Sequence, residues 1–539
     1  MRVPALTVPL ALSLVTLVAL AGCEPGAEPP PGEPSSHAEI GVVSFPTSCA
    51  SETQPHLEEG LLMLHHMMYP QSRSAFERAV AIEEGCAMGH WGLAMSYFQP
   101  FWGSADLEAG REAARRAIAL EPPTGREELY VRAALAFYED PDASYAERVR
   151  SWEGAMEELH EAHPDDPEAA TLFALAHLSV APGDRSRQER ASHITHRVHE
   201  KIPEHPGAIH YAIHVHDVDA LAEEGVPFAR AYEELAPTIP HALHMPSHIY
   251  VRTGEWDEVI EWNRLSADAA LEHPAGEYIS IHYPHALDYL MYGYLQKGMD
   301  DEALEIVGEI RSRSGYEPHL ASAYALAAVP ARWYVERRDW EGAAGLEPRV
   351  PDEFDWDAYP AGEAMTWFAR GMGSVHTGNL DSAREAGERL ESLSAAARER
   401  GEEHWSRQVE VQRRSIAAWI ALAEERADDA ISEMRAAAEL ESTLEKHAIT
   451  PGELQPAREL FGDLLAELGR HEEALEAYEA SLEVWPMRYR SLLGAARAAD
   501  ALGEDSVALA HWEALAELAS EAHPDREGAR EARERVAGS

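Results

Sequence analysis

An all-α fold of stacked helical hairpins, arranged in two arrays, is what this sequence predicts. Three observations carry the prediction. From about Glu52 onward the chain is dominated by Ala, Leu, Glu and Arg at helical spacing, with no run of alternating β-branched residues. Near the C-terminus, Gly469, Ala474, Tyr478 and Ser481 recur 34 residues later as Gly503, Ala508, Trp512 and Leu515, with Pro486 at the join. Small residues where helices touch, an aromatic wedge and a helix-stopping proline are what a repeating hairpin needs. Finally, His210 and His214 recur as His244 and His248, again 34 residues on. A chain of 539 residues exceeds one ordinary compact core, which suits an open stack of this kind.

The first element is a leader. Met1 and Arg2 precede an apolar stretch that ends in Leu20-Ala21-Gly22-Cys23. A charged start, a hydrophobic region and small residues before a cut site describe an exported precursor, and the alternative is a single membrane anchor. The string L-A-G-C resembles the lipobox of bacterial lipoproteins, which implies removal of residues 1–22 and lipidation of Cys23 (a palmitate-type anchor). Glu24 rather than Asp in the next position implies the outer membrane, so the expected location is the bacterial cell envelope, facing the periplasm. Residues 23–45 follow as a Pro, Gly and Glu tether with little to bury. With Cys23 set aside, Cys49 and Cys86 remain, and an oxidising compartment makes a disulfide between them the natural expectation, against two buried thiols.

Residues 46–345 form the N-terminal array. Phe76, Ala79, Ala94 and Tyr97 mark an early hairpin, Gly254, Trp256 and Val259 follow Tyr250 in another, and Tyr294, Gly298 and Ala303 mark the next. The aromatic string Tyr97, Phe98, Phe101 and Trp102, with Trp91, reads as core packing of the first hairpin, the alternative being a platform for a sugar or other ligand. A Pro- and Asp-rich break at 346–362 separates this array from a second at 363–536, and Trp333, Trp340, Trp356 and Trp367 flank it.

The segment LLAELGRHEEALEAYEASLEVWP resembles the tetratricopeptide consensus, whose repeat is about 34 residues long. CAMGHWGLAMSY, HPGAIHYAIHVHD, PHALHMPSHIYVRTGEWDEVIEWN and HALDYLMYGYLQKG together resemble a group of large bacterial tetratricopeptide repeat proteins. The resemblance covers most of 45–345, more loosely the C-terminus, and implies a fold rather than an activity.

Thirteen of the 28 histidines fall between 193 and 285, a density that asks for a reason. In tetratricopeptide repeats the first helix of each hairpin lines a concave groove, with positions 5 and 9 facing inward. Setting Tyr250 at position 11 puts His244 and His248 at 5 and 9 and His241 at 2. One repeat earlier, His210 and His214 fall at 5 and 9 and Asp217 at 12. Counting from Tyr294 gives His285 at 2 and Asp288 at 5. Imidazoles one helical turn apart, on helices about 10 Å from their neighbours, can converge on one ion. Neutral imidazole suits Zn, Cu or Ni. The candidate metal ligands are therefore His210, His214, His244, His248, His285 and Asp288. His241, Asp217 and Arg252 are candidate groove contacts. Three readings stay open: a Zn or Cu site, a groove that takes an envelope protein or peptide without metal, and a structural network of histidines. Pro246 and Pro284 must sit in a first turn or at a kink. His193, His196 and His199 are expected on a second helix, facing solvent.

The remaining composition narrows the function. Acidic residues outnumber basic ones 95 to 45, a formal charge of −50 that repels nucleic acid and anionic lipid. No H-E-x-x-H, G-x-S-x-G, P-loop or dinucleotide fingerprint occurs, so no catalytic residue is nominated and an enzyme is the less favoured class. The expected function is a lipid-anchored binding module or scaffold acting through a histidine-lined groove; the alternative is a metal carrier or metal-dependent enzyme using the same histidines.

Overall fold

The computed structural model describes residues 40–538, apart from 182 and 219. Residues 1–22 and the lipidation candidate Cys23 lie outside this range. Among the described residues the architecture is helical from Gln54–His65 to Ala529–Gly538, and helices consecutive in sequence pack against each other as a continuous series of hairpins. Strand structure among them is confined to Phe98–Gln99 paired with Ser104–Ala105 and two isolated bridges.

The local rules of the repeat are visible at its turns. Gly254 (φ +78°) ends the helix Pro246–Thr253, and the N–H groups of Gly254 and Glu255 both donate to the Tyr250 carbonyl. Gly298 (φ +70°) closes His282–Lys297 in the same way, where a side chain would be strained. The wedge Tyr478 explains the small residues around it: a Cβ added at Gly462 or Gly494 would fall 2.7 or 2.3 Å from its ring.

Three hairpins carry the histidine-rich stretch. Their first helices are Pro206–His216, Pro240–His244 continued by Pro246–Thr253, and His282–Lys297, and each packs beside the next. Pro246 stands at the first position of its helical segment, and Met245 keeps helical dihedrals (φ −55°, ψ −38°). The interruption therefore removes one backbone donor without turning His248 away from His244. Pro284 lies in the first turn of its helix, where the missing N–H has no intrahelical partner to lose. Of the three histidines expected on a second helix, all lie on Arg185–Lys201; His193 is exposed, whereas His196 stacks on Phe228 at 4.7 Å.

The N-terminal segment docks earlier than its composition suggests. Although the tether was drawn to residue 45, Val42 N donates to the Glu204 carbonyl, and Phe45 is fully buried against Trp91 and Tyr130. Apolar side chains from Ile40 onward have a core to enter. Cys49 and Cys86 are joined in a disulfide, with Cα atoms 5.3 Å apart.

The break expected at 346–362 is shorter, because Pro360 already opens the helix Pro360–His376; the loop runs from the end of the short helix Trp340–Ala344 to residue 359 and contains the 3₁₀ turn Trp356–Ala358. Trp356 is buried and donates to the Pro351 carbonyl. Both Leu320–Arg337 and the short helix Trp340–Ala344 that precedes the loop pack directly on Pro360–His376.

The C-terminal hairpins then return to the histidine-bearing ones. Arg332 is fully buried between Asp288 and the carbonyls of Gly452 and Glu453. Arg488 reaches both Glu336 and Glu459, Trp256 donates to the Met487 carbonyl, and Arg526 pairs with Asp300. Buried charges of this kind are strongly destabilising when one partner is removed, because the other is left without compensation.

Candidate metal centre

Six imidazoles form one cluster, divided by geometry into two sets of three. His210 and His214, one turn apart on Pro206–His216, place their Nε2 atoms 3.1 Å from each other, and His241 Nε2 from the next first helix lies 3.2 Å from His210 Nε2. The second set repeats this one hairpin later. His244 Nε2 and His248 Nε2 are 3.0 Å apart, and the His285 ring of the following first helix is centred 4.2 Å from that of His244. Within each set one ligand atom per residue can be chosen so that all lie within 4.8 Å of one another. The rule is regular: positions 5 and 9 of one repeat are completed by position 2 of the next. The sets touch, with the rings of His214 and His248 centred 5.5 Å apart. His214 is partly exposed and the other five are buried.

The tautomers follow from what stands behind each ring. His210 Nδ1 is 2.6 Å from the His65 carbonyl, which can only accept, so this nitrogen carries the proton. His244 Nδ1 is 2.7 Å from Asn263 Oδ1, and the Asn263 amide is fixed by donating to Ser247 Oγ and the Val259 carbonyl. His248 Nδ1 is 2.8 Å from Asp217 Oδ2. In all three the bare nitrogen of the neutral ring is therefore Nε2. The Nε2 atoms of His244 and His248 then face each other at 3.0 Å as two acceptors with no proton between them.

A cation relieves such a contact, and the proton is the poorer choice of cation. Burial holds His210 down at about 3 and pushes His244 and His285 well below the usual imidazole range. His248 also lies below that range, because burial outweighs the pull of Asp217. Among the described residues, neither nitrogen of His285 has a hydrogen-bond partner, nor does His241 Nδ1. Acceptors that fix Nδ1–H and aim Nε2 inward are the usual outer shell of metal-ligating histidines.

The two aspartates serve elsewhere. Asp288, nominated as a ligand, belongs to neither set: its carboxylate is held by Arg332, 2.8 Å from Nε and 3.3 Å from Nη2. Asp217 stands behind His248 and also receives Arg252 Nε at 3.0 Å and Lys446 Nζ at 2.8 Å. These cations and the His248 hydrogen bond hold its carboxyl well below the carboxylate range, against the opposing effect of burial. The residues assigned to an open groove are thus interior: His241 is 1% exposed, Asp217 8% and Arg252 5%. Residues 444–450, from the returning C-terminal half, and the turn at 97–106 cover the histidines. Trp102 lies 5.6 Å from His285 and 5.9 Å from His241, ring centre to ring centre, and Phe101 stacks on His214 at 4.5 Å. Phe101 and Trp102 therefore wall the centre rather than fill the first hairpin's core.

Two cavities adjoin the cluster. A void of about 10 Å³ lies between the sets, lined by His214 and His241 from one, His248 and His285 from the other, and Met67, Phe101, Trp102 and Ile449. A chamber of about 550 Å³ lies outside, bounded by His214, Phe101, Asp217, Arg407, Lys446 and His447 among others.

A third cluster satisfies the same distance criterion with a different logic. His65 Nε2 is 2.8 Å from Glu168 Oε2 and His205 Nε2 is 3.3 Å from Glu168 Oε1, all three side chains being buried.

No protein-family model matches this chain, and no curated protein matches it. Among solved structures the chain is similar to one from "Crystal structure of APC/C hetero-tetramer Cut9-Hcn1", at 12% identity over 91% of this chain and 97% of that one, with a TM-score of 0.27. A likeness at that score adds nothing to the hairpin architecture described above.

Proposed function

We propose that this chain is a metalloprotein that holds a pair of late first-row transition ions, Cu or Zn, one in each tri-histidine set. The observation that carries the reading is the facing pair His244 Nε2 and His248 Nε2, both left as acceptors because Asn263 and Asp217 take their Nδ1 protons. All-imidazole sets without thiolate or carboxylate suit Cu and Zn better than Mg or Ca. Three protein ligands per ion also leave a coordination position for something else, as catalytic rather than structural zinc sites do.

The hairpin stack supports a second, coarser role as a scaffold that binds a protein partner. That partner would meet outer faces of the stack, since the chain's own C-terminal half occupies the histidine-lined side. The two roles are compatible. In our reading the chain is exported and anchored through Cys23 in the bacterial envelope, facing the periplasm; the Cys49–Cys86 disulfide supports an oxidising compartment.

The test is the metal content of protein lacking residues 1–23, purified without chelator and reconstituted with Cu or Zn. Two ions per chain are expected, one for each set. Absence of any stoichiometric ion under both conditions would sink the reading, and so would a full complement in a folded His244→Ala, His248→Ala double variant.

A further inference from the structure

The two tri-histidine sets do not have the same access to the outside. His210, His214 and His241 include the one partly exposed imidazole of the six, whereas His244, His248 and His285 are all buried. His214 is also the residue through which the cluster meets both cavities: it lines the chamber of about 550 Å³ and the void of about 10 Å³. None of His244, His248 and His285 lines the chamber; His248 and His285 border only the void. Phe101, which stacks on His214 at 4.5 Å, and Ala448 lie on both boundaries and together separate the two cavities.

Resting on the two-ion reading, we infer that the pair is asymmetric. The ion on His210, His214 and His241 keeps a coordination position open to the chamber and takes an exogenous ligand there, while the ion on His244, His248 and His285 is sealed. The chamber has the size of a site for a small organic molecule. Its wall specifies the ligand's chemistry. Arg407 and Lys446 are accompanied there by Asp217, Glu403 and Glu445, and Lys446 is paired with Asp217, so the charges of the wall offset one another; Phe101, Leu178 and Leu444 supply apolar surface, and the ion behind His214 is the group that would draw an anionic donor. The ligand class that fits is a small molecule with an apolar body and an anionic oxygen or nitrogen donor that binds the ion directly. The void between the sets, with room for about one water-sized ligand, offers no such space on the sealed side.

Azide is the probe, used on full-length mature protein loaded with Cu(II). One azide per chain is expected to bind, reported by its ligand-to-metal charge-transfer absorption. A His214→Ala variant should keep one ion and lose the azide band. Stripping with a chelator should be biphasic, one ion leaving about tenfold faster than the other or more. Phe101→Ala, which joins chamber and void, should bring the slow phase toward the fast one while leaving the metal content at two. Two ions that leave at a single rate, or two ions with no azide bound or with two, would overturn the asymmetry and leave the two-ion reading standing. A chain that binds no ion removes both.

Discussion

Two histidine clusters in this molecule look alike by distance and differ in their protons. Around Glu168 every contact is complementary. His205 Nδ1 accepts from the Ala208 N–H, so its Nε2–H faces Glu168 Oε1. His65 Nε2 donates to Glu168 Oε2, leaving Nδ1 to accept from the Tyr211 hydroxyl, and Ser44 N adds a further donor to Glu168. Burial alone would raise the Glu168 carboxyl; the two histidines hold it well below the carboxylate range instead. Around His244 and His248 the outer shell does the reverse, consuming both Nδ1 protons and leaving two acceptors in contact. Proximity of imidazoles is therefore a weak signal of a metal site, and the direction of the hydrogen bonds behind them is a stronger one. A donor set that already faces a carboxylate is satisfied without an ion; facing acceptors are the arrangement that the proposed ion would relieve.

The sharpest way to break this contrast is to count ions. His244→Ala should remove one ion per chain, whereas His205→Ala should leave the metal content unchanged, both read by elemental analysis of folded protein. Loss of metal in the His205 variant would erase the distinction drawn here. The next largest effect is on stability. Glu168→Gln sets an amide against two imidazole donors and should cost about 2 to 3 kcal/mol in denaturant unfolding, the scale for losing hydrogen bonds to a buried charged group, again without changing metal content.

A smaller effect isolates the outer shell. Asn263→Ala removes the acceptor behind His244 and should weaken metal affinity by about 10- to 100-fold while both ions remain detectable at saturation. The smallest is a pH dependence common to the buried imidazoles. Burial holds His376 and His404 at about 4, below their value in an unfolded chain of about 6.5. Below about 6.5 the unfolded state binds protons that the native state refuses, so stability falls as pH drops; the share due to His376 and His404 is lost by about 4, and that due to His210 and His282 continues to about 3. The thermal midpoint of metal-free protein should decline across that window, and a midpoint that rises on acidification would contradict neutral burial.

Much of the fold was legible because hairpin repeats write their turns and wedges locally. Gly254, Gly298, Gly469 and Gly503 stand at positive φ after their helices; the last two are 34 residues apart, and the first two each follow their Tyr250 and Tyr294 anchors by four. The site was legible as a set of positions more than as a set of ligands. Positions 5 and 9 name four of the six imidazoles and position 2 names His285, while the same counting puts His241 among groove contacts and Asp288 among ligands. What decides between them is the offset between adjacent first helices, which brings position 2 of one repeat onto positions 5 and 9 of the one before. Arg332, 44 residues from Asp288 in sequence, claims that carboxylate. Asn263 carries no motif, and its role depends on the pitch of the second helix. The cover was not legible at all: periodicity describes each hairpin and its neighbour, but says nothing about where a long stack meets itself.

Lys446 and Asp217 are 229 residues apart in sequence, and the second of them sets the proton on His248. A chain made from its N-terminus has all six imidazoles, and the turn at 97–106 that covers them on one side, before residues 444–450 exist. On the proposed two-ion reading, ions have freer access until that late segment docks and closes the centre. A C-terminal truncation would leave the ligands intact and change the timing.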